Sequence, residues 1–241
     1  MGRRRPSQER HRKKIPRREF EGGGLKIPIS DRCDSPLTIG SLFLLAIIVV
    51  ALGLPVTSHA GGIDHKVTQD ESGIWNPNVY RTMMGVLSVA DLGGALWEGS
   101  ESRLGKTLWQ TMDSQIIAVG SATVMKAVFT RVRPSDTDNP SEWFAGGHNY
   151  SFPSGEAAFS ASLVTPLVME YAGDHPSAYG LLLFPLYVGV GRVKAQAHWQ
   201  TDVLAGWAVG GLSGWFAHGR ETPLLVQVLP HGMVVGLKTR F

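Results

Sequence analysis

The segment HNYSFPSGEAAFSAS, His148 to Ser162, marks a change from polar loop to helix. Pro153, Ser154 and Gly155 put a hydroxyl and free backbone N–H groups at a helix start. First-turn donors there lack partners and the dipole favours negative charge, so the segment offers an anion site. Glu156 follows in that same first turn. An acid suits the dipole but repels a bound phosphate. Beyond it, Ala157–Met169 is apolar and rich in small residues, the composition of a helix that its neighbours approach closely.

Working outward, further apolar segments of helix length lie at about 79–97, 105–130, 178–191 and 200–217, beside 155–171 itself. They are separated by EGSESRLG, by the long polar loop RPSDTDNPSEWFAGGHNYS and by AGDHPS. The pattern predicts an all-α fold, a helical bundle. Uninterrupted runs such as Ala157–Met169 and Val203–Ala217 fall short of the ~18–20 residues of a spanning helix. Asp91 and Asp113 interrupt other segments. Buried bundle helices are favoured over membrane helices with functional charges. At the end, LLVQVLPHGMVVGLKTRF holds two β-type runs, Leu224–Val228 and Met233–Leu237, around Pro230-His231-Gly232. They predict a short C-terminal β-hairpin extension packed on the bundle.

The net charge of +3 conceals an asymmetry. Residues 1–36 hold eleven Lys/Arg against five Asp/Glu, residues 37–60 hold no charged side chain, and 61–241 are left at −3. The basic run RRRPSQERHRKKIPRR precedes the apolar segment Leu37–Pro55, which makes a signal-type n-region a better reading than a nucleic-acid arm. Ser58 and Ala60 supply small residues for cleavage after Ala60; retention of the segment as an anchor is the alternative. The single cysteine, Cys33, precedes the apolar run, so no disulfide framework is expected. The expected organisation is a basic tail with signal peptide or anchor over 1–60, a helical domain over 61–219, and a C-terminal extension over 220–241. The expected location is outside the cytoplasm, in a periplasm or at the outer face of the cytoplasmic membrane.

Three clusters carry chemistry. In KAVFTRVRP, Lys126 stands near a helix end and Arg133 precedes Pro134, which pushes Arg133 out of helical geometry so that it can turn back toward Lys126. A point charge and a bidentate fork together suit phosphate oxygens. Ser154 and Gly155 form the second cluster. In GRVKAQAHWQTDVLAG, His198 and Asp202 stand at i and i+4, with Arg192 upstream at the end of an apolar helix. An aspartate bonded to one ring nitrogen would fix the tautomer and free the other nitrogen as nucleophile. Each cluster alone has an ordinary structural explanation: a solvated helix end, a plain N-cap, a structural ion pair.

Taken together, their order and spacing resemble the three-part signature of the type 2 phosphatidic acid phosphatase superfamily. That superfamily includes bacterial class A acid phosphatases, lipid phosphate phosphatases and vanadium haloperoxidases. Its pattern is Lys, six residues, Arg-Pro; then Pro-Ser-Gly-His; then Arg, five residues, His, three residues, Asp. Lys126, Arg133 and Pro134 fit the first part; Arg192, His198 and Asp202 fit the third. Pro153, Ser154 and Gly155 fit the second, with Glu156 in the place of its histidine. The resemblance covers about 79–217.

The resemblance implies that His198 attacks phosphorus and forms a phosphohistidine, with Asp202 orienting it. It implies that Lys126, Arg133 and Arg192 hold the non-bridging oxygens, with Ser154 and Gly155 completing the cradle, and that no metal or other cofactor is required. The family histidine at the place of Glu156 protonates the leaving alcohol. Three readings of Glu156 follow: a replacement acid whose pKa is raised by burial and a neighbouring anion; a plain helix residue, with the proton supplied by substrate, water or His148; or a mark of lost turnover. The expected activity is an exported phosphatase acting on a phosphomonoester or diphosphate, best a lipid phosphate, with an associated membrane and no nucleic acid as partner. The alternatives are a catalytically silent phosphate- or lipid-binding homologue and a vanadate-dependent haloperoxidase.

Overall fold

In a computed structural model, described over residues 62–220 and over the backbone of 226–229 and 232–235, five α-helices form the body. Helix α1 (Pro77–Glu98) starts with Pro77 behind Asn76, whose side chain accepts the Asn78 N–H. Helix α2 (Arg103–Phe129) is capped by Ser102, whose hydroxyl accepts the Gly105 N–H, and stops at Thr130 in the left-handed region (φ 36°). Helix α3 (Gly155–Tyr171) is capped by Ser154, whose hydroxyl accepts the Ala157 N–H. Helices α4 (Leu183–Lys194) and α5 (Gln200–His218) complete the set.

The all-α expectation holds for this body. One boundary differs. The helix expected over 178–191 is a 3₁₀ turn, Pro176–Leu182, followed by α4. Pro185 has no N–H to bond back to Leu181, and its ring crowds that carbonyl, so regular α-hydrogen bonding cannot run through from 178. The expected hairpin falls almost wholly outside the described residues: the backbone ranges β1 (Val226–Leu229) and β2 (Gly232–Val235) are paired antiparallel, while their turn and all their side chains are not described. The basic tail, the apolar segment Leu37–Pro55, the cleavage point after Ala60 and Cys33 also lie outside the described residues.

Helix α3 packs most extensively on α5. A Cβ at Gly206 would lie 2.5 Å from the Ser154 carbonyl oxygen, one at Gly210 only 2.1 Å from that of Ala158, and one at Gly214 2.5 Å from Thr165 Cβ. Spaced four apart, these glycines let the two backbones nearly touch. The paired numbers rise together, so α3 and α5 run parallel and their N-termini share one end. The Ser154 N–H closes that end by donating to the Asp202 carbonyl at 2.9 Å. Around this pair lie two small cores: Ala118, Ala122, Ala158 and Val209; and Tyr80, Met84 and Val188, with Phe159 against them.

The outer surface is unusually apolar in places. Trp97 is 89% exposed and Val89 72%, with Val86 beside them on α1 and Leu183 at the start of α4. No helix among the described residues is long and apolar enough to cross a membrane.

Candidate active site

The end at which α3 and α5 begin also receives the ends of α2 and α4, which bring Lys126 and Arg192, and the start of α1, which brings Tyr80 and Arg81. Two positive helix ends and several cations thus meet in one place. His198 sits in the α4–α5 loop, 1% exposed. Its Nδ1 lies 2.6 Å from the Ser151 carbonyl oxygen. A carbonyl only accepts, so Nδ1 carries the proton and Nε2 keeps a free lone pair in the neutral ring. Burial pushes the His198 pKa down; Glu156 opposes that, and the charges of Arg192 and Lys126 reinforce it. The ring is therefore neutral at physiological pH.

Asp202 stands differently from the sequence expectation. Its Oδ2 is 3.9 Å from His198 Nδ1, too far for a hydrogen bond. The carboxylate is taken up elsewhere. Oδ2 accepts from the Ser151 hydroxyl at 2.5 Å and from the Trp199 N–H at 2.8 Å, and Oδ1 accepts from Arg131 at 2.5 Å. Asp202 therefore reaches the imidazole through Ser151: it holds the residue whose carbonyl holds Nδ1.

Arg131, 2% exposed, is the hub that sequence reasoning missed. It also pairs with Asp64 at 2.7 Å, donates to Thr201 and to the Pro140 carbonyl, and lies over the Trp143 ring. The only sequence signal was a surplus: KAVFTRVRP holds one more cation than the phosphate pattern uses. Its partners are 67 and 71 residues away, beyond any local periodicity. Tyr80 and Arg81 were missed for the same reason. Buried Tyr80 accepts from Arg192 Nη1 at 3.0 Å, and Arg81 Nη2 reaches Glu156 Oε1 at 3.2 Å.

The predicted cationic residues converge in part. Arg192 is buried, with Nη1 3.4 Å from Glu156 Oε1, and its buried Nε has no protein partner among the described residues. Lys126 Nζ donates to the Tyr150 carbonyl at 2.7 Å. Burial brings its pKa down to about 8, with Arg133 and Arg192 pushing the same way against Glu156 and Asp202. Arg133 is half-buried and close enough for its charge to act on Lys126. Ser154 is buried, and Gly155 opens α3 with Lys126 Cε 3.5 Å from where a Cβ would stand. A cavity of about 190 Å³ opens beside Lys126, Gly155 and Glu156, walled by Met84, Val119 and Phe159. A larger one of about 640 Å³, near Val67, Lys194 and Trp207, contains none of the predicted site residues.

Glu156 is the centre of this arrangement. Its carboxylate touches Arg81 and Arg192 through Oε1, and its Oε2 lies 3.7 Å from His198 Nε2. Opposing influences act on its pKa. Burial does push it up, but the facing His198 ring when protonated, the Arg192 charge and its own backbone N–H together outweigh burial and hold the carboxyl well below the usual range. His148, the other proton source considered, is exposed against Tyr150. Among the described residues no group of three His, Cys, Asp or Glu side chains comes together as a metal site.

With this geometry in place, comparison with known proteins gives a likeness over part of the chain. Residues 108–221 match the PAP2 superfamily, and they include every predicted site residue. Among curated proteins, the chain is similar to a lipid A 1-phosphatase of Porphyromonas gingivalis, 29% identical over 134 residues, which is 55% of this chain and 27% of that protein. The chain thus spans about a quarter of that relative's length. Among solved structures, it is similar to the crystal structure of Aquifex aeolicus LpxE, with 19% identity, 62% of this chain and 98% of that one covered, and a TM-score of 0.34.

Proposed function

We propose that the chain is a PAP2-type phosphatase that hydrolyses a lipid phosphate, monoester or diphosphate, through a phosphohistidine, outside the cytoplasm and at a membrane surface. The observation that carries the chemistry is His198. Its Nδ1 proton is committed to Ser151, and its Nε2 faces the Glu156 carboxylate at 3.7 Å, with the charges of Arg192 and Lys126 acting on the ring. In the first step Nε2 bonds to phosphorus and the P–O bond to the leaving alcohol breaks. Arg192, Lys126 and Arg133, with the Ser154 hydroxyl and the Gly155 N–H, bind the oxygens on which charge accumulates. In the second step water bonds to phosphorus and the P–N bond breaks, releasing phosphate and His198. Glu156 supplies the proton to the leaving alcohol and takes it back from the water. A phosphate dianion beside it raises its pKa, which is how it comes to hold that proton.

A lipid substrate is supported by the exposed apolar side chains of α1 and α4, by the cavity walled by Met84, Val119 and Phe159 beside the cations, and by the activity in the name of the P. gingivalis relative. Export is supported by the basic run, the apolar segment and the Ser58–Ala60 cleavage pattern. A test is rapid quench under alkaline conditions with a radiolabelled lipid phosphate. Wild type accumulates an acid-labile, base-stable phosphoenzyme, and His198→Ala loses both label and turnover, by roughly 10³-fold or more. Turnover by His198→Ala equal to wild type refutes the mechanism.

A second reading, a silent anion-binding homologue, is favoured by one observation: Glu156 is held ionised among the cations. It predicts anion binding with no phosphoester turnover at any pH.

A further inference from the structure

The Glu156 carboxylate lies where a phosphoryl group would lie. It faces the nucleophilic nitrogen of His198 on one side and shares Arg192 on the other. The buried Arg192 Nε still has no partner among the described residues, so this carboxylate does not saturate the cradle. Its second contact, Arg81, is of another kind. Arg81 projects from α1 at the rim, with a side chain 51% exposed, against 4% for Arg192. One oxygen, Oε1, bridges the two guanidinium groups, at 3.2 Å from Arg81 and 3.4 Å from Arg192. A small rotation of Glu156 exchanges a shared contact for one with Arg81 alone.

Resting on the reading of this end as a phosphate cradle, we propose that Glu156 is an intramolecular competitor for the bound anion, and that Arg81 is the positioning residue that receives its carboxylate when the anion enters. The inner position has Glu156 shared between Arg81, Arg192 and the face of His198. In the outer position Arg192 and His198 face the anion, and Glu156 rests on Arg81 or takes up a proton. Both routes relieve the repulsion between the carboxylate and the incoming charge. Arg81 thereby tunes affinity without touching the anion.

The charged groups around Glu156 set the sign of the pH effect. Arg81 faces it from α1, Lys126 from α2, Arg192 from α4 and His198 from the α4–α5 loop. Arg133 acts on Lys126, and Asp202 lies behind His198, with Arg131 beside it. An entering anion favours protonation of Glu156, and of His198 as well, so binding takes up protons and strengthens as pH falls. The difference between wild type and a Glu156→Gln variant reports the share of Glu156 together with its coupling to His198 and Lys126.

The test uses the full chain and inorganic sulfate, which stays fully ionised over the working range, so that any proton taken up belongs to the protein. Calorimetry in two buffers of different ionisation heat, at several pH values, yields affinity and proton uptake for wild type, Glu156→Gln, Arg81→Gln, Arg81→Lys and Arg81→Gln/Glu156→Gln. Glu156→Gln is expected to bind sulfate at least tenfold more tightly and to lose part of the proton uptake. Arg81→Gln is expected to weaken binding several-fold in the wild-type background and to have no effect in the Glu156→Gln background, with Arg81→Lys restoring affinity. If Glu156→Gln fails to fold, Glu156→Ala carries the same expectation. Sulfate binding no tighter without the carboxylate overturns the competition. An equal loss from Arg81→Gln in both backgrounds overturns the receiving role, because Arg81 would then bind the anion itself. A protein that shows this binding pattern but turns over no phosphoester refutes the phosphatase reading alone.

Discussion

Replacing Asp202 by asparagine separates two accounts of that residue. If Asp202 acts on His198 through Ser151, its main role is architectural and the variant must lose stability. The amide keeps the size of the side chain but removes the charge that neutralises Arg131, which is 2% exposed. Removing one partner of a buried ion pair costs about 3–5 kcal/mol. Asp64 still pairs with Arg131 at 2.7 Å, which places the loss at the low end, about 3 kcal/mol. For a domain of this size each kcal/mol moves the midpoint by about 2–4 °C, so the expected drop is about 6–12 °C. Ser151→Ala removes one hydroxyl bond to Asp202 while leaving the Ser151 carbonyl on Nδ1. It should cost about 1.5–3 kcal/mol, hence about 3–12 °C, and leave most of the turnover. Thermal unfolding followed by circular dichroism measures both variants, and phosphatase rates are taken below the transition. The reasoning is refuted if Asp202→Asn melts within a degree of wild type while its turnover collapses. That result would mean that the carboxylate works directly on the imidazole.

Other consequences follow from the same packing and charges. Because burial holds Lys126 at a pKa of about 8, kcat/KM should fall along an alkaline limb near pH 8, and Lys126→Arg, which keeps its charge, should move that limb upward; a pH–rate profile measures this. Asp91 is buried with Oδ1 unpartnered among the described residues, and burial raises its pKa to about 7 against an ordinary 3.8, with a Gln115 hydrogen bond opposing. Its folded pKa is the higher one, so wild type loses stability as pH rises from about 4 through 7, and Asp91→Asn should be the more stable above pH 7 by roughly 1–3 kcal/mol in denaturant titrations. Gly210→Ala puts a methyl 2.1 Å from the Ala158 carbonyl oxygen and should cost about 3 kcal/mol or prevent folding, while Gly120→Ala meets nothing within 4 Å and should gain roughly 0.5–1 kcal/mol; yield and midpoint compare the two.

What could be read from the sequence depended on range. Helices were legible because their signals are local: Ser154 as cap and the period of the apolar residues. The boundary of α4 was not, because Pro185 stands inside an otherwise apolar helical run and its effect reaches the preceding turn. Lys126, Arg192 and His198 were legible by spacing, since each lies near a helix terminus and those termini share one end of the bundle. The true partner of His198 Nδ1 was hidden, because it is a backbone carbonyl and any residue supplies one. Arg131 was hidden by its neighbours: Lys126 and Arg133 already accounted for the cations that a phosphate requires. Nothing local says that one of the three cations in KAVFTRVRP turns inward to an aspartate 71 residues on.

The glutamate in the first turn of α3 follows from the electrostatics of the site and is no exception to them. Parallel α3 and α5 bring two positive helix ends together, and the ends of α2 and α4 add Lys126 and Arg192. Asp202 contributes little opposing charge, because Arg131 is bonded to it. The pooled field is therefore strongly positive, and a field that would bind phosphate must also stabilise any carboxylate placed within it. The depressed pKa of Glu156 and the suitability of the site for an oxyanion share one cause, the charge of Arg192, beside the effect of His198 on the carboxyl. It follows that making Glu156 a better acid by removing a cation would also weaken the cradle. Removing Arg192 or Lys126 raises its pKa and loses phosphate affinity together. An arriving anion raises the one without sacrificing the other, so in the proposed mechanism proton uptake by Glu156 follows substrate binding.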